Sequence, residues 1–258
     1  KGAEIVRMLH TLLGETAFRA GLDRYFARHD GGAATIEDFL AAMSAASGRD
    51  LSRFARWYAQ AGTPRLTIRE EFDAACGEYV LRIAQSAQSE PLHIPLAFAL
   101  YDDDGNPLQV PAHGDATVRD GLIELTDTAH TLRFEGLAAK PLPAFLQRLS
   151  APVRIDIEYA PRELARLIVC EPDPLTRWES AQRLATDVIL RRGEDVAAAR
   201  HALVDALGRL LEDPSLDPGF VAECHVLPDL WTLADQCDPI DLDALMRERE
   251  DLLDLLAE

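Results

Sequence analysis

One stretch, Arg56-Trp57-Tyr58-Ala59-Gln60-Ala61-Gly62-Thr63-Pro64, divides this chain into two kinds of pattern. Ahead of it apolar residues recur at helical spacing; behind it they alternate at strand spacing. Gly62 accepts the left-handed conformation that ends helices, and Pro64 cannot continue one. A chain with this switch folds first as helices and then as a sheet. Trp57 and Tyr58 fall on the last helical turn, where they are expected to pack against that sheet. The sharper, second reading of the same stretch is a junction between two domains of a larger assembly.

Upstream, Ile5, Met8, Leu9, Leu12 and Leu13 mark one helix face, and Gly14 ends it. A second helix begins near Glu15 and carries Phe18, Leu22, Tyr25 and Phe26 to a turn at His29-Asp30-Gly31-Gly32. Thr35 with Asp38 has capping-box spacing ahead of a third helix bearing Phe39, Leu40 and Met43 and stopping at Gly48. Asp50 is the N-cap candidate for the fourth, which carries Leu51, Phe54, Trp57 and Tyr58. His10 has no second histidine four residues away, and His29 beside Asp30 reads as a turn residue. The chain holds no H-E-x-x-H, no G-x-S-x-G and no P-loop. The helical segment reads as scaffold.

From Arg65 onward the period is two. Leu66–Arg69 and Tyr79–Ile83 alternate around a loop at Asp73–Gly77, and Leu96–Tyr101 reads as a buried strand after Pro91 and Pro95. Leu108–Val110, Leu122–Leu125, Thr131–Phe134 and Val153–Ile155 complete an antiparallel sandwich of about seven strands. The run Asp102-Asp103-Asp104-Gly105-Asn106 resembles a calcium loop in its first positions. It lacks the closing Glu and stands between strands, so a turn is the better reading. His93, His113 and His130 stand apart from one another and read as structural.

Beyond residue 155 the pattern is helical again. Helices are expected over Arg162–Cys170, from Asp173-Pro174 along Trp178, Ala181, Leu184, Ala185, Val188 and Ile189, and over Glu194–Leu211. Further helices follow Pro218, Pro228 and Pro239, the last over Asp241–Glu258. Trp178 and Trp231 are expected to pack. Helix pairs punctuated by Pro and Asp describe an α-solenoid-like stack without a constant repeat length. The fold class is therefore α+β multidomain, with boundaries at 1–62, 63–155 and 156–258.

Charge limits function. Lys and Arg total 26 against 44 Asp and Glu, a net charge of −18 over 258 residues. Such a field repels a phosphate backbone and disfavours nucleic-acid binding. It serves solubility, and it would also favour cationic ligands or peptides with free amino groups. No run of about 20 apolar residues marks a membrane span. Cys76, Cys170, Cys224 and Cys237 form no C-x-x-C pair, and Cys224-His225 with Cys237 lacks zinc-ligand spacing. Dispersed thiols of this kind fit a reducing compartment, hence the cytoplasm. No catalytic, cofactor-binding or metal-ligating residue is assigned. The start at Lys1 without Met, and a final helix without a terminator, lead us to expect a truncated chain. Apolar surface should then be exposed where further helices would stack.

Several motifs, in order, resemble the bacterial aminopeptidase N family. They are Lys1-Gly2-Ala3-Glu4 leading into Val6–Gly14, Tyr25–Gly31, Trp57–Pro64, Pro91–Leu96 and Leu149–Val153. The resemblance is strong over about the first 155 residues and looser over the helices. It implies a zinc-dependent metallopeptidase that removes N-terminal residues from peptides. In that family H-E-x-x-H and a distant Glu hold the zinc, a G-x-M-E-N loop binds the free amine, and a tyrosine stabilises the oxyanion. None of these is present here, so no catalytic role is carried onto any residue. The resemblance makes residues 1–62 the end of a thermolysin-like catalytic domain, followed by the sandwich and by the start of a helical domain. The expected zinc and peptide substrates belong to the parent protein; for this stretch no cofactor and no activity are expected. The alternative is a non-catalytic protein-interaction module.

Overall fold

A computed structural model describes residues 2–86 and 89–257. Lys1 and Glu258, where the expected domains begin and end, lie outside these residues. The chain separates into two compact units: Lys1–Leu100 with Leu108–Glu158, and Tyr101–Pro107 with Tyr159–Glu258.

The first unit opens with four helices, α1 (Gly2–Leu13), α2 (Glu15–His29), α3 (Ile36–Ser47) and α4 (Ser52–Ala59). In α1 the expected stripe is the buried one, through Ile5, Met8, Leu9 and Leu12, while Leu13 is half-buried. The capping box of α3 forms: Asp38 N–H donates to Thr35 Oγ1 at 3.2 Å and Thr35 N–H to Asp38 Oδ2 at 2.9 Å. Gly48 then ends α3 in the left-handed region, at φ 70°. Asp50 stands one residue ahead of the observed N-cap, Leu51, and its carboxylate accepts the Ser52 N–H at 2.9 Å. Helix α2 departs from its expected stripe. Its one buried residue is Gly21, whose missing Cβ would lie 2.3 Å from Met43 Sδ. The helix meets α3 through that gap, and Phe26 is left 57 % exposed.

The sheet portion holds nine strands among the described residues. They are β1 (Arg65–Asp73), β2 (Glu78–Ser86), β3 (Ile94–Tyr101), β4 (Ala112–Gly114), β5 (Thr117–Arg119), β6 (Leu122–Leu125), β7 (Ala129–Phe134), β8 (Leu142–Phe145) and β9 (Arg154–Asp156). They form two sheets, ordered β4-β7-β2-β1-β9 and β5-β6-β3-β8. Leu108–Val110 is not a strand; the next pairing begins at Ala112. Every hydrogen-bonded pair resolved residue by residue is antiparallel except β1 with β9, where Leu66 stands beside Ile155 in parallel. The core carries Leu66, Ile68, Leu81 and Ile83, with Tyr79 and Phe98 each 6.0 Å from the Phe134 ring. Strand β6 is buried at all four positions and β3 at seven of eight, the signature of strands covered on both faces.

The second unit takes in the turn Tyr101–Pro107 and six helices. These are α5 (Pro161–Cys170), α6 (Pro174–Ile189), α7 (Val196–Glu212), α8 (Pro218–Cys224), α9 (Leu230–Ala234) and α10 (Leu242–Ala257). Five helices begin on an aspartate whose side chain accepts a first-turn amide. Asp173 takes Thr176 N–H, Asp195 takes Ala198, Asp217 takes Phe220, Asp229 takes Thr232 and Asp241 takes Ala244, at 2.8–3.1 Å. Part of the chain's negative charge is thus assigned to helix starts. Leu164, Ile168, Leu184, Val188, Leu203, Leu207 and Leu252 fill the core. Trp178 packs against it as expected, but Trp231 does not: it is 86 % exposed. Leu230, Leu233 and Ala234 of α9, with Cys237 just beyond it, face the core, and Trp231 falls outside that stripe. Ile240, Leu242, Met246 and Leu253 are exposed near and along α10.

Candidate functional site

The best-organised polar constellation of the first unit lies where α4 and the loop before it meet the strands. Arg49, Arg53, Arg56, Trp57 and Gln60 recur at helical spacing, and each donates across to the sheet portion. Arg53 Nη1 donates to Thr126 O at 3.1 Å, Arg56 Nη1 to Pro91 O at 2.8 Å, and Trp57 Nε1 to His93 O at 2.8 Å. Gln60 Nε2 reaches Glu90 O at 3.1 Å. The acceptors are carbonyls outside the strands, and one of them, His93 O beneath Trp57, is buried, where a backbone oxygen requires such a partner. Gln85 performs the same service from β2: its amide donates to Leu92 O and Asp127 O and accepts the Leu92 N–H at 2.9 Å.

At the centre sits Glu124 of β6, 7 % exposed. Arg49 donates to its Oε2 and also, at 3.0 Å, to Leu12 O of α1. His93 Nε2 lies 3.1 Å from the same oxygen, and Arg119 Nη2 3.5 Å from Oε1. Burial opposes the charge on Glu124, but hydrogen bonds from His93 and Arg49 outweigh it and hold the carboxyl at about 2. The result is an ionised carboxylate neutralised inside the fold. Through Arg49 it fastens the segment ahead of α4, and with it α1, to the sheet.

Several other residues singled out in the sequence are likewise committed. His130, 3 % exposed, accepts Thr126 and Asp127 N–H on Nε2 at 3.0 and 3.1 Å. That puts its ring proton on Nδ1, 3.3 Å from Asp115 Oδ1. His225 Nδ1 is 2.8 Å from Val221 O. In the acidic turn, Asp102 accepts Asp104 and Asn106 N–H at 3.0 and 2.8 Å, and hydrogen bonds from Asn106 hold its carboxyl below the usual range. Asp103 pairs with Arg166 at 3.2 Å, and Arg166 also donates to Asp102 O. Asp102 thus turns its carboxylate onto the loop's own amides and Asp103 pairs with Arg166, unlike the ligands of a calcium loop. Burial pushes the Cys170 and Cys224 thiols up, away from the thiolate that ligation or attack requires. Among the described residues no three His, Cys, Asp or Glu side chains are placed to hold a metal ion, so these residues do not fit a zinc centre. Sequence reasoning did not pick out the Arg49–Glu124–His93 cluster. The recurrence of Arg at 49, 53 and 56 was the available signal.

Three family models match in succession along this architecture. The peptidase family M1 domain matches residues 1–58, a domain of unknown function with an Ig-like fold (DUF3458) matches 62–158, and one built of ARM repeats (DUF3458_C) matches 161–258. The class is thus peptidase-M1 sequence followed by an Ig-like sandwich and a helical array. More particularly, the chain is a homologue of aminopeptidase N. It is 38 % identical to that of Escherichia coli (strain K12) over 272 residues, covering 100 % of this chain and 31 % of that protein. The Caulobacter vibrioides protein is 41 % identical over 259 residues, covering 95 % of this chain and 29 % of its own length. A crystal structure of Legionella pneumophila aminopeptidase A in complex with aspartic acid superposes with a TM-score of 0.85 at 28 % identity, over 99 % of this chain and 29 % of that one. The chain therefore spans about three tenths of the relatives it matches. Among the described residues no helix is long and apolar enough to cross a membrane.

Proposed function

We propose that this chain is part of a cytoplasmic zinc aminopeptidase that releases N-terminal residues from peptides, and that residues 1–258 supply scaffold to it. The similarity to aminopeptidase N along the whole chain carries this reading. The division we favour is 1–62 as the end of the catalytic domain, 63–155 as the sandwich and 156–258 as part of the helical domain. In this reading the zinc, the free-amine site and the oxyanion-stabilising tyrosine belong to other residues of the parent, and this chain is inactive alone. Neither nucleic acid nor membrane is a partner. Sequencing the gene upstream of Lys1 tests the parent assignment: H-E-x-x-H and a nearby tyrosine are expected. Their absence would favour the second reading, a non-catalytic interaction module, for which the exposed Trp231 is the specific observation.

A further inference from the structure

The second unit carries a half-open surface cavity of about 360 Å³. Its charged lining is Arg191 and Arg200, beside His201, while Val196, Val204 and Leu255 are apolar. That lining is out of character for a chain of net charge −18. Glu248 of α10 draws the two arginines together: Arg191 Nη1 donates to Oε1 at 2.6 Å and Arg200 Nη2 to Oε2 at 3.1 Å. A guanidinium has five N–H donors, so each fork retains donors for a second acceptor. Two guanidiniums against one carboxylate leave one positive charge, which matches a monoanion. Arg191 holds φ at 53°, a left-handed conformation uncommon for a residue with a Cβ, in the turn between α6 and α7.

We propose that this cavity binds a small monocarboxylate with a short branched apolar tail. The guanidiniums of Arg191 and Arg200 take the carboxylate, and Val196, Val204 and Leu255 take the tail. A bare inorganic anion would leave the apolar wall unused, and a neutral analogue would forgo the charge-assisted bonds. The site rests on nothing in the aminopeptidase reading and stands or falls apart from it.

Titrating 4-methylpentanoate into the isotope-labelled 258-residue chain, with amide shifts followed by NMR, tests it. Saturable shifts are expected at Val196 and Val204. Both 4-methylpentanamide and acetate should bind about tenfold more weakly, the scale set by charged hydrogen bonds and by apolar burial respectively. Arg191→Gln, at a solvent-facing side chain, should weaken binding by about fivefold while the rest of the spectrum stays unchanged. Equal binding of the neutral amide would reduce the site to a greasy cleft. Equal binding of acetate, shifts that never saturate, or an unaffected Arg191→Gln variant would also overturn the proposal.

Discussion

Glu124 shows how much one side chain settles here. It carries a charge into the interior, and Arg49, His93 and Arg119 answer it from outside its own strand. An unfolded Glu titrates near 4.5 and this one at about 2. Its folded value is depressed, so its contribution to stability is complete above about 4.5 and is lost as pH falls toward 2. Glu124→Gln should remove that acid-side slope and cost about 2 kcal/mol at neutral pH. This is less than for a wholly buried pair, because Arg49 is 26 % exposed. Urea denaturation of both proteins at pH 7 and pH 3 measures the difference; parallel losses on acidification would contradict the assignment. Glu124 was not legible in the sequence, where Leu122–Leu125 shows only a strand and says nothing of what covers its outer face. Trp231 was legible and was misread. The apolar stripe through 230, 233, 234 and 237 leaves position 231 outside, whereas aromatic character alone suggested burial.

At the scale of elements, two helical glycines that look alike have opposite roles. Gly21 of α2 is a contact point, with Met43 Sδ and Cα inside the space of a Cβ; Gly208 of α7 has nothing within 4 Å. Gly21→Ala should destabilise by about 1–2 kcal/mol through overpacking. Gly208→Ala should stabilise by about 0.5–1 kcal/mol, the ordinary gain in helix propensity. Thermal melts of the two variants check the sign as well as the size, and a stabilised Gly21→Ala would show that α2 does not pack through that gap. The aspartate caps make a third test. Asp217→Ala should cost about 1 kcal/mol, and Asp217→Ser should recover most of it. A calorimetric scan that fails to separate the two substitutions would remove the capping role. Helix starts were readable because Asp-Pro and Asp spacing are local signals. Strand β8 was not, because Pro141 and Pro143 flank and interrupt its four buried residues; an edge strand tolerates a proline that a central one would not. The pairing of β1 with β9 was equally hidden, since residues about ninety positions apart leave no local trace of their register.

For the molecule as a whole, order mattered more than any single motif. A switch from helical to strand period at Trp57–Pro64, and a return to helical period after residue 155, describe helices, a sandwich and a helical array. That stretch is also where the arginine row of α4 ends and the clamp on the sheet closes, so the break in pattern is a structural seam. Among the described residues the buried ionisable side chains His93, Glu124, His130 and Glu171 are tied to loop amides, to a tyrosine or to one another, and the buried Cys224 lies in the apolar core of the second unit. The central claim is that this chain scaffolds an aminopeptidase without holding its catalytic centre. The direct test is to incubate the purified chain with equimolar zinc, dialyse it, and measure both bound metal and hydrolysis of an alanyl chromogenic substrate. We predict no retained zinc and no turnover; retained zinc with chelator-sensitive turnover would contradict the claim.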